Sequence, residues 1–76
     1  MTKIPALTSR EVIRGLKNAG FEFDRQAKGS HEIWYNPANK RSTTIPNHPG
    51  VEVPKGTIKA ILKQAGLSLD EFLQLL

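Results

Sequence analysis

The chain has 76 residues, of which 38% are apolar and 24% charged, and none is a cysteine. A chain of this length holds one small hydrophobic core and leaves much of its surface to a partner. The lack of cysteine excludes disulfide staples, thiol nucleophiles and thiolate zinc sites. Eleven Lys/Arg against seven Asp/Glu give a formal net charge of +4, with every basic residue between Lys3 and Lys63 and with Asp70 and Glu71 in the last ten positions. Positive charge spread over a small body points to a polyanionic partner, because neutralising phosphates releases counterions; a merely soluble basic protein is the plainer alternative.

One domain over residues 1–76 is expected, with no repeat, linker or low-complexity tract. The segment from Met1 to Leu7 lacks the apolar core of a secretory signal, and no run approaches membrane-spanning length. A cytoplasmic location without membrane association is the corresponding expectation.

Thr8-Ser9-Arg10-Glu11 reads as a capping box, in which the Thr8 hydroxyl and the Glu11 carboxylate satisfy each other's backbone amides. Val12, Ile13, Leu16 and Ala19 then share one helical face, and Gly20 ends the helix. Phe21-Glu22-Phe23-Asp24 switches to a period of two, which predicts a half-buried strand. Ala27-Lys28-Gly29 is a turn, Ser30 to Tyr35 a second strand, Asn36-Pro37-Ala38-Asn39 another turn, and Arg41 to Ile45 a third strand that Pro46 stops. Asn47 to Val53 form a loop. Pro54 suits the first turn of a second helix whose apolar face is Ile58, Ile61, Leu62 and Ala65, ended by Gly66. Ser68-Leu69-Asp70-Glu71 is a second capping box opening a short terminal helix, with Leu69, Phe72, Leu73 and Leu76 directed to the core or to a partner.

Short turns between the strands predict an antiparallel three-stranded meander. The fold class expected is α+β: a two-layer sandwich in the order α-β-β-β-α with a short C-terminal helix, both main helices on one sheet face. The other face, carrying Glu22, Asp24 and part of the second strand, is open.

Histidine is the side chain that titrates near neutral pH without help, and the chain has two. His31 follows Gly29-Ser30 at the start of the second strand, with Arg25 and Lys28 near in sequence. An imidazole beside fixed positive charge suits RNA cleavage: it exchanges a proton with the ribose 2′-hydroxyl or the departing 5′-oxygen while cations hold the phosphate. RNA brings its own nucleophile, so neither a metal nor a cofactor is required. The competing reading is an ordinary hydrogen-bonded surface histidine. His48, in a loop of Asn, Pro and Gly, reads either as a turn residue or as a second acid/base group pairing with His31. Two histidines seventeen positions apart, without clustered carboxylates, match no standard metal-ligand spacing. Ser30, His31 and Asp24 make a hydrolase triad only on paper, since adjacent strand residues point to opposite faces.

Lys55, Lys59 and Lys63 recur every four residues and form a stripe on the second helix, either a solvated face or a rail for phosphates beside the helix N-terminus. Trp34 and Tyr35 point to opposite sheet faces, so one belongs to the core and the other is placed to stack on an unpaired base.

Gly29-Ser30-His31 followed by Ile33-Trp34, the Thr-Ile-Pro-Asn-His stretch ending at His48, and the run from Pro54-Lys55-Gly56-Thr57-Ile58 to Gln64-Ala65-Gly66 together resemble HicA-type mRNA interferase toxins, over nearly the whole chain. The resemblance implies a double-stranded-RNA-binding-domain-like fold, ribosome-independent mRNA cleavage and neutralisation by a HicB-type antitoxin, and it carries the catalytic role to His31. Arg25, Lys28, Ser30, Arg41, Lys55, Lys59 and Lys63 are the expected RNA contacts, and the free toxin is expected to be a monomer. Two other classes compete: a non-catalytic RNA-binding module of the same fold, with His31 a contact residue, and a protein-interaction domain docking through the open sheet face and the leucine-rich tail.

Overall fold

The computed structural model describes residues 3–76; Met1 and Thr2, part of the expected 1–76 domain and of the N-terminal segment read above, lie outside the described residues. The elements follow in the order α1 (Ser9–Asn18), β1 (Glu22–Gln26), β2 (His31–Asn36), β3 (Arg41–Pro46), α2 (Lys55–Ala65) and α3 (Leu69–Leu73). The strands form one antiparallel sheet in the order β1-β2-β3. This is the expected α-β-β-β-α arrangement with its short terminal helix.

Both capping boxes form. Thr8 accepts from the Glu11 amide while the Glu11 carboxylate accepts from the Thr8 amide, and Ser68 and Glu71 repeat the exchange at α3. The backbone bond to Thr8, followed by its side-chain bond, holds the Glu11 carboxyl below the usual carboxylate range, and Ser68 does the same for Glu71. Gly66 closes α2 at a φ of 74°, a left-handed conformation that a side chain would disfavour.

Alternation along β2 and β3 sends Trp34, Asn36, Thr43 and Ile45 to the helix-covered face. There they meet Val12 and Leu16 of α1, Ile58, Ile61, Leu62 and Ala65 of α2, and Phe72 of α3 in one core. Of the two neighbouring aromatics on β2, Trp34 is the core residue, and its indole Nε1 donates to Glu32 Oε1 at 3.0 Å. Buried polar groups are satisfied within the packing: Thr43 Oγ1 bonds Gln64 Oε1 at 2.9 Å, and Asn36 Nδ2 donates to the Ala19 carbonyl at 3.3 Å. Gln64 Oε1 also accepts from the Thr44 amide, so a helix side chain covers part of the open edge of β3.

β1 departs from the sequence reading. Every residue from Glu22 to Gln26 is exposed, and the half-buried pattern expected from Phe21-Glu22-Phe23-Asp24 does not form. Phe21 is buried ahead of the strand, whereas Phe23 is 51% exposed and lies edge-on against Trp34 at 5.8 Å. The reason is positional: the helices pack over β2 and β3, leaving β1 as the uncovered edge. A bulge between Phe23 and Arg25 then shifts the register, so Arg25 pairs with Ile33 instead of sharing the side of Phe23. That one extra residue turns Arg25 to the open face. β2 and β3 each run one residue further than their expected ends, to Asn36 and Pro46, and β2 begins at His31.

Candidate functional site: a groove at the His31 end of the sheet

His31 opens β2 and pairs across the ladder with Pro46, the last residue of β3. The turn before it is fixed by four bonds: the Ala27 amide donates to the His31 carbonyl at 2.8 Å, the His31 amide to the Lys28 carbonyl at 3.3 Å, and Gln26 Nε2 reaches both the Gly29 and His31 carbonyls. Gly29 takes a φ of 66° within this turn. The backbone of His31 is thus anchored on both sides while its side chain remains exposed.

The chain after Pro46 folds back over this end of the sheet. Ser9, buried at the start of α1, donates from Oγ to the Pro46 carbonyl at 2.6 Å and accepts from the His48 amide at 3.4 Å. The Val53 amide donates to the Leu7 carbonyl at 2.7 Å, and Glu52 bridges to Thr8, so the loop rejoins the body before α2 begins. Between the loop, the end of β3 and the first turn of α2 lies a groove of about 430 Å³. His31, His48, Thr44, Pro46, Val51, Glu52 and Thr57 are among its walls. Its size falls in the range of small-molecule and nucleotide-sized sites.

Both histidines therefore face one groove, although seventeen positions separate them in sequence. His48 Nε2 lies 2.9 Å from Ser30 Oγ, a contact that brings the loop against the Gly-Ser-His turn. The paper triad of Ser30, His31 and Asp24 does not assemble: Ser30 bonds His48, and Asp24 is engaged by Arg25 at 2.6 Å. Among the described residues no group of three or more His, Cys, Asp or Glu side chains is gathered in metal-ligating proximity.

The expected RNA contacts divide into three places. Arg25, Lys28 and Ser30 stand at the β1–β2 end, around His31. Arg41 pairs with Asn36 at the opposite end of the β2–β3 ladder, about 17 Å away at the usual rise per residue. There it lies over Gly66 and donates to the Gln64 carbonyl at 3.5 Å, closing the C-terminus of α2. Lys55, Lys59 and Lys63 are exposed along α2, but at 100° per residue they occupy the side opposite Thr57 and Gln64, which face the groove and β3. Lys59 and Lys63 instead border a second, shallower depression with Ile4, Leu62, Leu67 and Leu69.

Glu32, outside the groove lining but holding its loop, is a supporting residue that sequence reasoning missed. Half-buried on β2, it accepts from Trp34 Nε1 through one oxygen and from Asn47 Nδ2 at 2.7 Å through the other. It thereby ties the loop that carries His48 to the core. A carboxylate on a strand next to a histidine gave the only local signal; its partner Asn47 is fifteen positions away.

No helix among the described residues is long and apolar enough to cross a membrane. No curated protein matches the chain. A family model described as the HicA toxin of bacterial toxin-antitoxin systems matches residues 9–67, which takes in α1, the whole sheet, the His48 loop and α2. The chain belongs to the HicA toxin family.

Proposed function

We propose that this chain acts as a single-domain endoribonuclease toxin that cleaves mRNA, with His31 as general acid/base and with neither metal nor cofactor in the chemical step. The observation that carries this reading is the exposed imidazole of His31, anchored through its backbone, at the wall of a groove large enough for a nucleotide. Imidazole is the side chain suited to exchanging protons with a ribose hydroxyl or a departing oxygen. Arg25 and Lys28 supply positive charge at the same end of the sheet, and Tyr35, on the open face with His31, offers a ring for stacking a base.

Lys55, Lys59 and Lys63 extend the binding surface around α2, where phosphates of a longer RNA would be neutralised at a distance from the reacting bond. Toxin family membership brings an antitoxin with it, and we assign a HicB-type protein that covers His31, the basic surface, or both. In its free form the toxin works as a monomer in the cytoplasm.

Induced expression tests the reading in cells. Wild-type protein should arrest growth and deplete bulk mRNA, His31→Ala should do neither at equal expression, and co-expression of the antitoxin should restore growth. Growth arrest with mRNA loss by the His31→Ala protein would overturn the assignment.

A further inference from the structure

We propose that His48 is a second acid/base group working with His31 across the same groove, and that Ser30 sets the tautomer in which it works; this deepens, and rests on, the endoribonuclease reading above. An exposed histidine in a loop of Asn, Pro and Gly would ordinarily move among rotamers. Here the loop is fastened from three sides. The Asn47 amide donates to the Ser30 carbonyl at 2.9 Å, and Asn47 Nδ2 donates to Glu32, itself held by the buried Trp34. Ser9 of α1 accepts from the His48 amide while donating to the Pro46 carbonyl. The Val51 amide closes the turn on the His48 carbonyl at 3.1 Å. The ring itself meets Ser30 Oγ through Nε2 at 2.9 Å. A turn residue needs none of this support, whereas an acid/base group needs its position fixed by bonds of this kind.

The Ser30 contact also has a chemical consequence. When Nε2–H donates to Ser30 Oγ, the other ring nitrogen, Nδ1, carries the lone pair that takes up a proton. After uptake the ring is an imidazolium with Nδ1–H to give, and the bond to Ser30 is unchanged. One arrangement thus serves both halves of a proton cycle. Among the described residues Glu52 is the other ionisable side chain lining the groove beside the two imidazoles, and Glu32 stands behind Asn47.

The step balances without a co-reactant. The ribose 2′-oxygen forms its bond to phosphorus and loses its proton to one imidazole. The bond from phosphorus to the 5′-oxygen breaks, and that oxygen takes a proton from the other ring, present as imidazolium. The products are a 2′,3′-cyclic phosphate and a 5′-hydroxyl, and proton exchange with water resets the pair.

A substrate in which sulfur replaces the 5′-bridging oxygen at the wild-type cleavage site tests this division of labour, because a thiolate leaves without a proton. On ordinary RNA, His48→Ala and His48→Gln should each lose roughly 100-fold or more in rate. The sulfur substrate should restore one of His31→Ala and His48→Ala, the variant lacking the acid, and not the other. Ser30→Ala should slow cleavage and shift the pH profile of kcat/KM, with Ser30→Thr restoring both. Wild-type rates in folded His48→Ala, with His31→Ala inactive, would overturn this inference and leave the role of His31 standing. Full activity in His31→Ala would instead remove the underlying reading. Loss in His48→Ala with sulfur rescue of neither histidine variant, or of both, would also overturn the pairing.

Discussion

Gly15 lies in the middle of α1 against the ring of Phe72, and a Cβ there would stand 2.5 Å from the ring's Cε1. A glycine inside a helix costs helix stability; here it lets α3 seat its one fully buried side chain on α1. The Asn18 side chain reinforces the contact by donating to the Leu75 carbonyl at 2.6 Å. Gly15→Ala should therefore destabilise the fold by about 1–3 kcal/mol through overpacking, despite alanine's better helix propensity. Urea denaturation of the two proteins measures this; an unchanged or raised midpoint would show that α3 yields without cost.

The capping boxes predict a direction in pH. Glu11 accepts hydrogen bonds as a carboxylate and its pKa is lowered in the folded chain, so its contribution is present above the ordinary carboxylate range. It is lost as pH falls through the lowered folded value, since protonation removes the charged acceptor. Glu11→Gln should accordingly be less stable than wild type at neutral pH, with the difference closing in acid. A difference that is constant down to strongly acidic pH would remove the carboxylate from the account.

Much of this organisation is legible in the sequence because it is local. Thr8 with Glu11, Ser68 with Glu71, Gly66 after α2 and the aromatic and branched residues of β2 each lie within a few positions of the feature they specify. Alternation alone says that Trp34 and Tyr35 part company, but choosing the core member requires knowing which face the helices cover. The bulge after Phe23 leaves no mark that a pattern of exposed residues reveals, so the placement of Arg25 emerges from pairing with β2. In the candidate site, the Ala27-Lys28-Gly29 turn ahead of His31 is readable, while the joining of Ser30 to His48 and of Glu32 to Asn47 depends on the loop returning over the sheet. The lysine periodicity was equally plain, but its side of α2 is decided by Gln64 and Thr57 packing toward β3.

That orientation separates binding from chemistry. Replacing Lys55, Lys59 and Lys63 together by alanine should weaken RNA binding and flatten its dependence on salt, by about 2–3 in the slope of log affinity against log salt concentration. Cleavage at saturating RNA should change little, because these side chains point away from the groove. An unchanged salt slope would assign the stripe to a protein partner instead.

Arg41 should behave differently from Arg25. Arg41 packs over Gly66 and reaches the last turn of α2, so Arg41→Ala should lower the thermal midpoint while leaving the rate of cleavage near wild type. Arg25→Ala, at the His31 end, should raise KM for RNA without loss of stability. The reverse pattern, measured by thermal denaturation and steady-state kinetics, would move the phosphate contacts to the other end of the sheet.

The most direct test of the central claim is cleavage of RNA by purified protein in the presence of EDTA, comparing wild type with His31→Ala. The wild-type chain should release defined fragments with EDTA present, and the His31→Ala protein, equally folded by circular dichroism, should be slower by about 100-fold or more while still binding RNA. Undiminished cleavage by the folded variant would contradict the assignment of His31, as would binding without any cleavage by the wild-type protein.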